Sequence, residues 1–241
     1  MTLRLRRHEF DDDATLMMAI VNRTPDSFYD RGATYAEDAA FERVAKVVGE
    51  GAEIVDIGGV RAGYGPEVSA EEETERVASF VGRVRSAHPQ VVISVDTWRS
   101  PVAIAACEAG ADLINDTWGG ADPGLAEVAA GVARESIIID PAHDFAKNTF
   151  HSLEVTRRLD EMVATGWPVL VSLSNKDFVG ETLGLPATQR LTGTLAATSV
   201  CALAGARVYR VHEVVETRHT VDMVNSIAGR RLPQRAIRGL Q

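Results

Sequence analysis

VVISVDTWRSPVAIAACEAGADLINDTWGG, residues 91–120, decides the fold. It opens on a β-branched run without polar alternation, the pattern of a strand covered on both faces. Asp96 ends that run, an Ala-rich helical stretch follows over 101–109, and Gly110 closes it just before a second run at 112–115. A strand, a helix and another strand in so short a span form a βαβ unit, which joins parallel strands.

The unit repeats on either side. Runs at 16–21, 52–57, 91–95, 112–115, 136–140, 168–173 and 206–211 read as strands, with helices near 36–50, 70–87, 101–109, 151–165, 187–204 and 216–229. Behind the strands stand NRTPDS, GGVRAG, DTWRS, DTWGG, PAHDF, SNKDF and HEV, all polar or Gly-rich. In a TIM (β/α)8 barrel such loops converge on one face, where the site is built. The prediction is one barrel domain over residues 1–241. Seven strands is one too few. The stretch ADPGLAEVAAGVARE has room for one helix only, so one strand with its loop and helix is expected to be missing near Ala130.

Composition narrows the function classes. Hydrophobic residues at 45% and charged residues at 24% suit a soluble globular chain, and no apolar run reaches the roughly 20 residues that span a bilayer. The net charge of −9 offers no basic patch for a nucleic acid, although local basic side chains can still hold a small phosphate. The N-terminus MTLRLRRHEFDDD has neither an apolar region nor a small-residue cleavage site, so nothing in it points to export. Cys107 and Cys201 sit in Ala-rich helical patterns and are predicted to be buried thiols in a reducing, cytoplasmic compartment.

The strand-end motifs carry a resemblance. VNRTPDSFYDRG resembles N-x-T-P-D-S-F-x-D-G-G of the dihydropteroate synthase family, and residues 95–120 resemble its V-D-T and I-N-D motifs with the helix between. IIIDPAHDFAKN, VLVSLSNKDFVGETLG and ARVYRVHEV are similar to I-x-x-D-P-G-x-G-F-G-K, V-x-x-S-R-K-x-x-x-G and A-x-x-x-R-V-H-D-V. The family joins a pterin diphosphate to p-aminobenzoate on the route to folate. The resemblance implies that Asp96, Asn115, Asp140 and Lys176 hold the pterin, that Arg210 and His212 bind diphosphate, and that Asn22 meets a diphosphate-bound Mg²⁺. These residue types suit the chemistry: carboxylates and an amide pair with an aminopyrimidone edge, while cations stabilise a departing diphosphate. The likeness also implies a homodimer formed through the helices at 187–204 and 216–229.

The sequence departs from the family at named places. GGVRAGYG stands for G-G-E-S-T-R-P-G, putting Ala62 and Gly63 where the family has Thr and Arg, with Arg61 two positions early. Asn175 replaces an Arg, and Asp177 brings a negative charge expected to repel an anionic ligand. Ala142 and Ala146 replace glycines, which predicts an altered backbone or a narrower pocket, and His143 and Asp144 are added. Arg23 stands where the family has a small apolar residue and is read as a solvated side chain. These losses fall on the diphosphate and p-aminobenzoate side, and each lost charge-assisted contact costs on the order of 2–4 kcal/mol in a transition state.

The chain therefore resembles the diverged second synthase copy of actinobacteria, mycobacteria among them. Its expected role is a pseudoenzyme that keeps affinity for a pterin or sulfone-type ligand. The alternatives are a slow working synthase and a pterin-binding methyltransferase. The NRTPDSF loop favours the synthase lineage over the latter.

Overall fold

A computed structural model describes residues 1–23, 36–60, 68–129 and 132–238. Six strands form one parallel sheet: β3 (Leu16–Asn22), β4 (Ile54–Gly58), β5 (Val92–Asp96), β6 (Leu113–Asn115), β7 (Leu170–Val171) and β8 (Val208–Val211). Their order is β6-β5-β4-β3-β8-β7, and a parallel bridge from Ile139 to Val169 adds a seventh position beyond β7. The sheet curls as a TIM-type α/β barrel does. It stays open between β6 and the segment around Ile139.

Strand alternation explains the two cores. Met17, Ala19, Val21, Val55, Ile57, Ile93, Val95, Tyr209 and Val211 point outward and pack under the helices. Leu16, Met18, Ile54, Val92, Leu170 and Val208 point inward and fill the barrel's lower half. The floor is a hairpin of β1 (Leu3–Leu5) and β2 (His8–Phe10), turned at Arg6 with a positive φ of 51°. Leu3 and Leu5 drop into the inner core, and the Arg6 guanidinium bonds Ala111 O at 2.8 Å. This hairpin was not predicted, though Leu-Arg-Leu shows the period of two that a half-buried strand needs.

The helices follow their local signals. In α2 (Ala70–Ala87), Ser69 Oγ accepts the Glu72 amide, and Glu71, Glu72 and Glu73 crowd the positive end of the helix dipole. Gly110 takes φ 115° to end α3 (Ser100–Ala109), a conformation other residues resist. The predicted helix over 151–165 is two pieces, α5 (Thr149–Arg157) and α6 (Leu159–Val163), parted at Arg158 with φ −104° and ψ 20°. The one predicted from 187 is a 3₁₀ turn after Pro186 and then α8 (Leu191–Ala204). The last, α9 (Val214–Ile227), begins two residues early. The one helix that the stretch over 121–135 has room for is α4 (Pro123–Ala129), and one short helix was not anticipated, α7 (Asp177–Leu183).

The opening lies where the missing unit was expected. Ala130 itself is outside the described residues, but α4 precedes it and a 3₁₀ turn at Arg134–Ser136 follows it. Among the described residues no strand lies between β6 and Ile139. The predicted strand over 136–140 shrinks to a single bridge because it can pair on one side only. Burial records the same deficit: β4 is buried throughout, whereas all of β6 and residues 135–139 are only partly buried.

The cysteines divide. Cys201 is buried in α8, but Cys107 is exposed on α3, against prediction, because its position faces away from the sheet.

Candidate functional site at the strand ends

Register assembles the site. Asn22 pairs with Gly58, Gly58 with Asp96 and Asp96 with Asn115, so one level of the barrel carries an amide, a gap, a carboxylate and a second amide. One level lower, Ile20 aligns with Asp56, Asp56 with Ser94 and Ser94 with Leu113. Arg210 reaches across from β8. Its Nε donates to Asp56 Oδ2 at 2.6 Å and its Nη2 to Asp96 Oδ2 at 2.7 Å. Asn115 Nδ2 donates to Asp56 Oδ2 at 3.2 Å, and Thr117 Oγ1 to Asp96 Oδ1 at 3.2 Å.

The cluster is built on charge balance. Asp56 is fully buried, and removing a charged group from water is costly unless a partner of opposite charge is placed against it, as Arg210 is here. Burial pushes the Asp96 carboxyl up to about 7, against the pull of Arg210 and with a further push from Asp56. Burial alone would weaken the Arg210 guanidinium, but the two aspartates outweigh it and hold its pKa above the ordinary value. Asp56 is thus the partner that the sequence reading missed. An aspartate in an otherwise apolar strand, AEIVDIGG, was the signal available.

Asp140 and Lys176 stand beyond the opening. Asp140 is open to solvent at the mouth and enclosed by protein elsewhere; its carboxyl accepts the Ala142 amide at 2.7 Å. Partial desolvation holds that carboxyl above its usual value, opposed by the Ala142 bond and by Lys176. Burial lowers the Lys176 ammonium to about 8, with Asp140 working the other way. The ammonium donates to His143 O and lies over the Phe145 ring at 4.6 Å.

The loop over 140–147 corrects two expectations. Ala142, Asp144 and Ala146 have φ of 55°, 65° and 49°, so the left-handed turns that glycine favours are kept and filled by other residues. Asp144 uses its carboxylate to hold the loop, accepting Ser152 Oγ at 2.9 Å and the Phe178 amide at 3.2 Å. His143 is a core residue. It is fully buried against Phe178, bonds Thr156 Oγ1 through Nε2 at 3.0 Å, and is held down to about 3 by burial and by the charges of Lys176 and Lys147.

The remaining predicted residues lie partly around this frame and partly outside the described residues. Ala62 and Gly63, with Arg61, lie outside the described residues. Arg210 joins the carboxylates, apart from His212, whose amide bonds Ser174 Oγ at 3.3 Å and whose carbonyl accepts Arg43 at 2.6 Å. Asn22 faces Gly58, where an added Cβ would stand 3.7 Å from Asn22 Oδ1 and 3.8 Å from Asp96 Cβ. Among the described residues no three acidic, His or Cys side chains gather as a metal cage.

A sequence profile described as pterin binding enzyme matches residues 18–131 and 124–212, two pieces that meet at the opening. The chain belongs to the pterin-binding enzyme family. It is 50% identical to a Mycobacterium leprae protein named inactive dihydropteroate synthase 2, over 95% of this chain and 96% of that one. A dihydropteroate synthase of Clostridium beijerinckii is 32% identical, over 95% and 100%. Both alignments, of 278 and 271 positions, are longer than this chain, so the relatives carry residues it lacks. The structure of Yersinia pestis dihydropteroate synthase with a sulfonamide drug superposes with a TM-score of 0.89 at 30% identity, covering 96% of this chain and 100% of that one.

Three departures from the family pattern now have structural explanations. Asn175 is buried at φ 57° and donates its side-chain amide to Glu213 Oε1 at 3.0 Å. Asp177 was expected to repel an anion, but Arg190 pairs with it at 2.8 Å while also binding Asn175 O. Arg23, expected in solvent, is 8% exposed, with its guanidinium over Phe80 at 4.9 Å and 3.6 Å from Glu37.

Proposed function

We propose that this member of the pterin-binding family binds a pterin and does not turn over as a synthase. The observation that carries the reading is the Asp56–Arg210–Asp96–Asn115 cluster, built as a set of paired acceptors and donors at the floor of the mouth. An aminopyrimidone edge would exchange hydrogen bonds with Asp96 and Asn115, while Asp140 and Lys176 close on its far side. Arg210 is committed to Asp56 and Asp96, and His212, two residues on at the same strand end, is the candidate for a phosphate. Asn22 supplies a single amide oxygen, which suits an Mg²⁺ brought in on a diphosphate and not a resident ion. Such an ion would stabilise the departing diphosphate.

Loss of turnover follows from the same frame. The pterin set is divided by the opening, with Asn115 on one lip and Asp140 on the other, and positioning to well under an ångström is what catalysis needs. The relatives named inactive and the family's Thr-Arg pair replaced by Ala62 and Gly63 support this. A sulfone-type ligand is a second candidate occupant, given the sulfonamide in the Yersinia structure. Val200 and Leu203 on α8 and Met223 and Ile227 on α9 are exposed, which supports a homodimer through these helices.

Calorimetric titration with a pterin tests the reading. Binding that Asp96→Asn abolishes is expected; no binding at millimolar ligand removes the assignment. A coupled assay with the pterin diphosphate and p-aminobenzoate tests the rest, and turnover at an ordinary synthase's rate overturns it.

A further inference from the structure

Two adjacent strand ends carry the same tripeptide, Asp96-Thr97-Trp98 and Asp116-Thr117-Trp118, and the fold brings the two indoles together. Their ring centroids are 4.6 Å apart at 41°. Trp118 is 46% exposed, whereas an indole normally buries most of its large apolar surface. Single exposed apolar side chains need no explanation, but this one is held on display. Asp116 accepts the amides of Trp118 and Gly120, both at 2.7 Å, and Thr117 ties the same loop to Asp96. Trp98 is backed by the Arg99 guanidinium at 4.4 Å, which is itself fixed by the buried Glu73 at 2.8 Å and by Val68 O at 2.7 Å. None of these contacts uses the exposed surface of Trp118.

We infer that Trp118, backed by Trp98, is a stacking platform at the barrel rim for a flat aromatic ring. It lies one residue from Thr117 and so beside the carboxylate cluster. The ring could be a substituent carried by a bound pterin or a separate aromatic molecule; either offers the same π-face. Arg99 presents no free charge because Glu73 neutralises it, so the platform selects for planarity and not for an anion. The assignment adds a subsite to the pocket proposed above and rests on that reading only for the substituent case.

The test uses indole emission. Trp167, the third tryptophan, precedes β7 at the far end of the barrel, so Trp167→Phe leaves the pair as the sole reporter. Naphthoic acid, which lacks an aminopyrimidone edge, is expected to quench the pair, and Trp118→Ala to weaken its binding by about tenfold while Trp118→Phe keeps it. Pteroic acid is expected to bind more tightly than pterin, with Trp118→Ala erasing that advantage, if the ring belongs to a pterin. Naphthoic acid binding with no pteroic acid advantage assigns the platform to a separate molecule. If pterin and pteroic acid both fail while naphthoic acid still quenches, the platform stands and the pocket reading falls. Unchanged emission with both aromatic compounds, or equal affinity in Trp118→Ala protein whose circular dichroism matches the parent, overturns the proposal.

Discussion

The closed side of the barrel and its open side treat similar residues differently. Between β8, β3, β4 and β5, neighbouring strands saturate each other's backbone groups, and the buried charges Asp56 and Arg210 find partners at 2.6 Å. Across the opening, β6 and Ile139 each lack a neighbour, and the adjoining loop places three non-glycine residues in left-handed turns. The lesson is that pairing, not residue type, makes a strand-end carboxylate part of a rigid site. The Asp96 carboxylate has two fixed partners, Arg210 and Thr117, and paired strands on both sides, whereas Asp140 has one backbone amide and a facing lysine.

The largest effect should come from breaking the closed side. Arg210→Met leaves two carboxylates without their cation and should cost about 3–5 kcal/mol in urea unfolding, with Asp56→Asn in the same chain restoring part of it. A loss below 1 kcal/mol would mean the cluster is not fixed in solution. Hydrogen exchange sharpens the contrast without mutation. Amides of β4 should exchange slower than those of β6 by about a hundredfold or more, and equal protection would show that the opening does not loosen the fold.

Acidity separates the sides again. His143 binds its proton only near 3 when folded but near 6.5 when unfolded, so the unfolded chain gains the proton first. Stability should be full above 6.5 and fall as pH drops toward 3, by up to about 1.4 kcal/mol per pH unit, and His143→Phe should flatten that slope. Asp96 works through ligand binding. With its carboxyl near 7, pterin affinity should rise several-fold from about pH 6 to about pH 8 as the acceptor ionises. A flat affinity profile would assign the recognition elsewhere.

The smallest effect relieves the loop. Ala142→Gly and Ala146→Gly should each stabilise by about 1 kcal/mol in thermal unfolding, whereas Asp144→Gly should not, because it also removes the bonds to Ser152 and Phe178. Equal gains at all three positions would show that Asp144 does not hold the loop.

Much of this was legible in the sequence, and the misread side chains share one cause. Strand positions, Gly110 as a helix stop and the place of the opening could all be read locally, from period and punctuation. Asp177 and Arg23 were misjudged because their partners, Arg190 and Phe80, come from other segments, and Cys107 because the packing of α3 on the sheet decides which of its faces is covered. The splitting of α5 from α6 had no local signal at all.

By itself the sequence determined the barrel and which residues end its strands, because burial on both faces leaves a mark on every strand. The tertiary structure alone decided that Arg210 serves Asp56 and Asp96, that Asn115 and Asp140 of the proposed pterin set stand on two lips, and that two tryptophans meet at the rim. Each of these joins positions far apart in the chain or on different strands, and the strength of a charge or an aromatic face depends on what the fold places against it.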